Sequence, residues 1–490
     1  MPFLRLLGTL VAAVCLSLPF VLIAQPSAHA EPSDDARQEA LVSPGDTAMT
    51  GFSGTVLASE SLPPGVDPVD RTFIDISGPA FRLFDLKSLD MDADGRLVVA
   101  PLKLEIPAST IGQVFGIAVE DFVEGAAPNL YVAASSTFGI QIVGAATEAD
   151  GKPTRLKQGA ADARFMEGQF GTLSGNSPGA IYRIDGATGD VTLFADTGFG
   201  KGTANSGPGL AALAYERQSR VLFASDLDTG LIHRFGLDFN AANLGTFDHG
   251  VAGRRAAGLD PAADDGKTME ITAPEFKVDD PDTWGLTPPQ RRIHGLAVHD
   301  GRLYYAVAEG PEIWSVSLSG GDFGNDPRRE LSVKAKRPFP VTGIAFDQQG
   351  RMILSQRGAQ KGAYDYEQFV DPGPAQVLRY TLKDASDGQP RAWRPEPEEY
   401  AVGLAEDSRA AAGGISLQHG YGADGRIDLS DCDGTLVTTG ETFVDAKAPV
   451  AGLQILARDG VRPPDGSPQP GGVLPYEAPS VSPDLRGHMG

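Results

Sequence analysis

Seven side chains in this 490-residue sequence stand where they could do chemistry together: Ser135, Asp226, Asp228, His294, Glu309, Arg357 and Glu441. Each follows an apolar, β-rich run or, for His294, precedes one, so a fold that gathers the ends of those runs gathers these residues. Four are carboxylates, and four acids around one axis suit a hard divalent cation with oxygen ligands, Ca2+ before others. Asp226, Asp228 and Glu309 are the first choices to hold it. His294, in Arg292-Ile293-His294-Gly295, has the side chain of a general base. Ser135, Arg357 and Glu441 would line a ligand site beside it. The plainer reading is a structural histidine and solvated acids in the loops of a chain that has 64 of them.

Other motifs carry less. Asp90-Met91-Asp92-Ala93-Asp94-Gly95 matches the first half of a calcium loop, but Pro101 stands where the twelfth-position glutamate belongs, so a hairpin turn is expected. No H-E-x-x-H, G-x-S-x-G or P-loop pattern occurs. Cys432 sits between acids in Ser430-Asp431-Cys432-Asp433, which disfavours a reactive thiolate.

The elements that must position the seven residues repeat along the chain. Ile293 to Leu318 holds three short β-rich runs: Gly295 to Val298, Arg302 to Val307 and Glu312 to Leu318. The turn His299-Asp300-Gly301 between the first two carries the Asp-Gly pair of a tight hairpin. Inner-strand starts recur at Ser88, Gly116, Leu210, Gly295, Gly343 and Gly414. Second strands begin at Arg96, Asn129, Arg220, Arg302, Arg351 and Thr435, and third strands at Ala180, Leu231, Ile313, Val377 and Leu453. The first unit lacks a clear third strand and is expected to draw on Phe73 to Leu86. A period of roughly 40–50 residues with four short strands is that of an all-β propeller, with six blades expected and seven the alternative count.

The pattern Gly-[Ile/Leu]-Ala, a turn ending Gly-Arg-[Leu/Met], then Ile313-Trp314-Ser315-Val316 or Ile232-His233-Arg234-Phe235 resembles the six-bladed propellers of the gluconolactonase-like, NHL and soluble quinoprotein dehydrogenase group. The resemblance spans about residues 76–460 and lies in strands and turns, so it implies fold before function. In the lactonase-like members a metal held by Asp, Glu and Asn at the channel mouth activates the substrate; here the matching positions are Glu309 and Asp226, with no Asn in the corresponding places. Three long insertions, 137–178, 238–292 and 358–374, are expected to reach one face of the ring.

Residues 1–30 read as a Sec signal peptide, with an apolar run from Leu6 and Ala28-His29-Ala30 before a cleavage after Ala30. A secreted or periplasmic protein with no later membrane span follows. Residues 31–72 read as an exported lead-in, mostly loop, 73–460 as the propeller, and 461–490 as a disordered Pro/Gly-rich tail. Cys15 leaves with the signal, so no internal disulfide forms. The mature chain keeps 40 of the 41 bases against 64 acids, which excludes nucleic acid and anionic lipid as partners. Two functions fit a monomer of this kind. The favoured one is a binding or scaffold module that takes a protein, glycan or envelope component on its elaborated loop face, because no complete catalytic set appears. The alternative is a Ca2+-dependent lactone or ester hydrolase with its site at the channel mouth.

Overall fold

The computed structural model describes residues 40–57, 64–65, 72–86, 94–97, 99–121, 126–136, 142–143, 154, 156, 163–165, 167–199, 202–237, 243–277, 280–360, 370, 373–386, 388–396, 400–403, 409–417, 420–421, 427–428, 435–440, 451–457 and 471–475. The signal-peptide residues, Asp90 to Asp92, Cys432 and Glu441 lie outside them.

Six mostly antiparallel sheets make a β-propeller. The second to fifth sheets start from the inner strands Val114–Val119, Leu210–Glu216, Ile293–His299 and Val341–Phe346, each followed outward by its chain neighbours. The sixth sheet starts at Ala411–Leu417 and continues through Thr435–Gly440 and Gly452–Ala457 to Gly471–Pro475. The first sheet is built differently. Its inner strand is Asp46–Thr50, paired with Pro79–Asp85, which pairs in turn with Leu102–Pro107. The strand expected from Arg96 runs as Asp94–Leu97 and pairs in parallel with Gly471–Pro475, so it extends the sixth sheet instead of the first. Paired strands therefore occur both before residue 73 and after residue 460. Among the described residues no helix is long and apolar enough to cross a membrane.

Side chains alternate across each strand, so every sheet has two apolar faces to cover. Six hydrophobic clusters do this, one per seam. Tyr304 and Ala306 pack toward Ile344, Met352 and Tyr380 of the fifth sheet, while Leu303, Tyr305 and Val307 on the same strand pack toward Phe223 and Phe247 of the third. The ring closes where Met49, Phe84 and Leu86 of the first sheet meet Val437, Leu453 and Ile455 of the sixth. Closure is thus a packed apolar seam of the same kind as the other five, each buried large side chain contributing about 1.5–3 kcal/mol.

The Gly-[Ile/Leu]-Ala motif is where inner strands touch. A Cβ at Gly116 would lie 2.6 Å from the Ala211 carbonyl oxygen, and one at Gly343 2.5 Å from that of Gly413. A side chain at either would force adjacent sheets apart. In the fourth sheet the hairpin turn has Asp300 and Gly301 both at positive φ, as the Asp-Gly pair requires. The last turn residue before the second strand is Gly301 in the fourth sheet, at φ 68°. In the third sheet it is Arg220, at φ 53°, a conformation that costs an L residue about 1–2 kcal/mol.

Candidate functional site

The ends of the second strands do converge on one end of the sheets, but the chain spends the polar groups there on itself. Asp226 closes the turn between Val221–Asp226 and Leu231–Gly236. Its carboxylate is fully buried and accepts from Asp228 N–H at 2.8 Å, Thr229 N–H at 3.4 Å and the Thr229 hydroxyl at 3.0 Å. It also accepts from Asn205 Nδ2 at 2.8 Å, and His233 Nε2 stands 3.1 Å away. The carboxylate therefore ties the turn, the loop before the third sheet and the third strand together. Asp228 is held by Ser206, whose N–H and hydroxyl reach it at 2.5 and 2.9 Å. Burial, aided by the nearby charge of Asp226, pushes the Asp228 carboxyl up to about 6 against the lowering pull of the Ser206 N–H.

Glu309 is half-buried, the most open of the described members of the set, and Arg254 Nη1 donates to it at 2.7 Å. Ser135 is buried at the junction of the second and third sheets, where its N–H donates to Gln113 O at 2.8 Å. Arg357 is buried near the axis: Nη1 donates to Ala412 O at 2.7 Å, and the guanidinium lies 5.5 Å from the centre of the Phe115 ring. His294 is buried inside the ring, and neither ring nitrogen has a hydrogen-bond partner among the described residues. Burial, then the positive charge of Arg292, pulls its imidazole down to about 3. A histidine so weakly basic and shut from solvent is a poor general base.

Ca2+ takes six to eight oxygens turned inward. Those of Asp226 are occupied by the surrounding donors and Glu309 is engaged by arginine, so these acids do not fit a calcium cradle. Among the described residues no group of three or more His, Cys, Asp or Glu side chains is placed to hold a metal.

The insertion ahead of the fourth sheet lies across this end. Residues 243–248 of the expected 238–292 insertion are the fourth strand of the third sheet, and the remainder packs down through Met269, Phe276, Trp284 and Leu286 onto Ala211 and Leu227. Arg291 is buried beneath it, with Nε donating to Thr229 O at 2.9 Å and Nη1 to Ala262 O at 3.0 Å. His249 is buried in a π-helical turn, its Nδ1 3.2 Å from the Tyr305 hydroxyl and its ring edge-on to Trp314. Arg254 donates to Asp260 O at 2.8 Å as well as to Glu309. These anchors leave a fixed outer stretch: from Arg255 to Thr268 every residue but Ala262 is exposed.

Sequence reasoning missed Asn205, Ser206, His249, Arg254 and Arg291. Asn205-Ser206-Gly207-Pro208-Gly209 is a turn signature directly before an inner strand and did carry a signal. The arginines carried none, since their acceptors, backbone carbonyls and the distant Glu309 among them, are brought near only by the fold.

No family model matches the chain, and no curated protein matches it. Among solved structures, a nidogen–laminin complex overlays 88% of this chain and 99% of its own at 11% identity and a TM-score of 0.37. A candidate 6-phosphogluconolactonase of Bacteroides uniformis covers 88% of this chain and 82% of its own, at 11% identity and 0.35. Regucalcin, a calcium-binding protein of Agrobacterium tumefaciens, covers 83% and 85%, at 12% and 0.35. None of these overlays bears on what this chain binds or turns over.

Proposed function

We propose that this propeller is an exported binding module that takes a protein of the cell envelope on the face built by residues 249–292. The observation that carries the reading is the anchored, outward stretch from Arg255 to Thr268. Arg254, Arg291 and the Trp284 cluster hold it from below, so a partner would pay little to order it. Its exposed side chains set apolar Ala256, Ala257, Leu259 and Ala263 among charged Arg255, Asp260, Asp264, Asp265 and Lys267. Exposed apolar side chains bordered by charged ones of both signs are the composition of protein interfaces. The experiment is co-purification of tagged wild type and Leu259→Asp from producing cells. A partner retained in fixed ratio by the wild type and lost by the variant, at equal melting temperature, is expected. Equal retention by both would contradict the proposal.

A further inference from the structure

A second set of polar and aromatic groups lies in the seam between the second and third sheets, in a groove of about 460 Å3. That volume falls within the range of about 300–1,000 Å3 typical of small-molecule sites. One wall is a chain of hydrogen bonds. Tyr131 Oη donates to Glu120 Oε1 at 2.5 Å, and Asn129 Nδ2 donates to Glu120 Oε2 at 3.1 Å. Arg183 Nη2 then donates to Asn129 Oδ1 at 3.0 Å. These groups face the groove already oriented, so a ligand need not order them. Arg220 comes from the third sheet and Phe194 from the second, with Phe199 beside them. Phe199 is 51% exposed and is the only aromatic among the large apolar side chains that the described surface leaves open.

Arg220 is the informative residue. In the fourth sheet the residue directly before the second strand is Gly301, which adopts the left-handed conformation freely. The third sheet places an arginine there against that preference, and its side chain lines the groove. Backbone strain of this kind gathers where a side chain has a task.

We propose that the groove binds a neutral sugar of one or two rings. A sugar hydroxyl both donates and accepts, and the groove sets carboxylate and amide acceptors beside guanidinium donors. The apolar CH face of a sugar ring needs a hydrophobic platform, which Phe194 and Phe199 provide. Locally the cations are balanced by acids, Arg183 lying 3.1 Å from Asp185, and the whole chain carries −23, so an anionic ligand is disfavoured at long range.

The test is saturation-transfer NMR on the full mature chain, with cellobiose and maltose as probes and glucuronate as the charged control. One neutral disaccharide is expected to bind, and Arg220→Gly and Phe199→Ala are each expected to weaken it about tenfold or more. Arg220→Gly relieves the turn and Phe199 is exposed, so both variants fold. No binding of either disaccharide at about 20 mM, indifference to both substitutions, or tighter binding of glucuronate would each overturn the proposal. The result is independent of the envelope-partner reading, because Leu259 is untouched in both variants.

Discussion

The capped end of the ring and the groove between the second and third sheets hold similar side chains with opposite fates. At the capped end Asp226, Asp228, His294 and Arg357 are buried, and the two acids and the arginine make their hydrogen bonds to their own chain. In the groove Glu120, Asn129, Arg183 and Arg220 bond one another or the surroundings and still face an opening. The difference teaches that position in a repeat does not make a polar residue functional. What decides is whether the following residues fold back to use it. Asp226 is followed by N–H groups two and three residues on, the geometry of an Asx turn, so it is consumed as soon as the hairpin forms.

Three changes break or sharpen this contrast, in falling order of effect. Trp284→Ala removes the largest side chain of the cap and is expected to cost about 3–5 kcal/mol in chemical denaturation, since it leaves a void over Ala211 and Leu227. The same truncation in the groove, Phe199→Ala, is expected to cost under about 1 kcal/mol because the ring is half exposed.

The second change concerns pH. His294 has its basicity depressed to about 3 by burial, whereas the unfolded chain titrates near about 6.5. Its contribution to stability is therefore complete above about 6.5 and is lost as pH falls toward about 3. His294→Phe is expected to reduce acid destabilisation between those limits by up to about 4 kcal/mol, read from urea midpoints across the range.

The third change runs the other way. The Asp228 carboxyl, raised to about 6 by burial, takes its proton earlier in the folded state than in the unfolded one. Stability from this group is complete below about pH 4 and declines as pH rises through about 6. Asp228→Asn is expected to flatten that decline by about 2 kcal/mol, and an unchanged slope would mean the carboxyl is not desolvated by the cap.

Much of the fold was legible. The inner strands of the second to sixth sheets follow from Gly-[Ile/Leu]-Ala and its variants because that glycine is required wherever inner strands touch, as at Gly116 and Gly343. The first sheet was legible only in part, through the expected use of Phe73 to Leu86, where Pro79–Asp85 lies. Asp46–Thr50 has only five residues and no such motif, although it pairs directly with Pro79–Asp85. Asp94–Leu97 takes up the end of a hairpin-like Asp-Ala-Asp-Gly run, yet pairs with the far end of the chain. The cap was not legible, because Arg254 and Arg291 act on carbonyls and acids that local sequence does not bring near them. The groove was hidden for the same reason: Glu120 and Arg220 flank unrelated hairpin turns until two sheets are packed side by side.

The central claim is that a partner docks on the outer stretch of the cap. The most direct measurement is in-cell photo-crosslinking of the full chain with a benzoyl-phenylalanine at Leu259, compared with one at Val119, which is equally open but lies at the far end of its strand from the capped end. The account predicts one discrete protein adduct from Leu259 and none from Val119. Adducts of equal yield from both positions, or from Val119 alone, would contradict it.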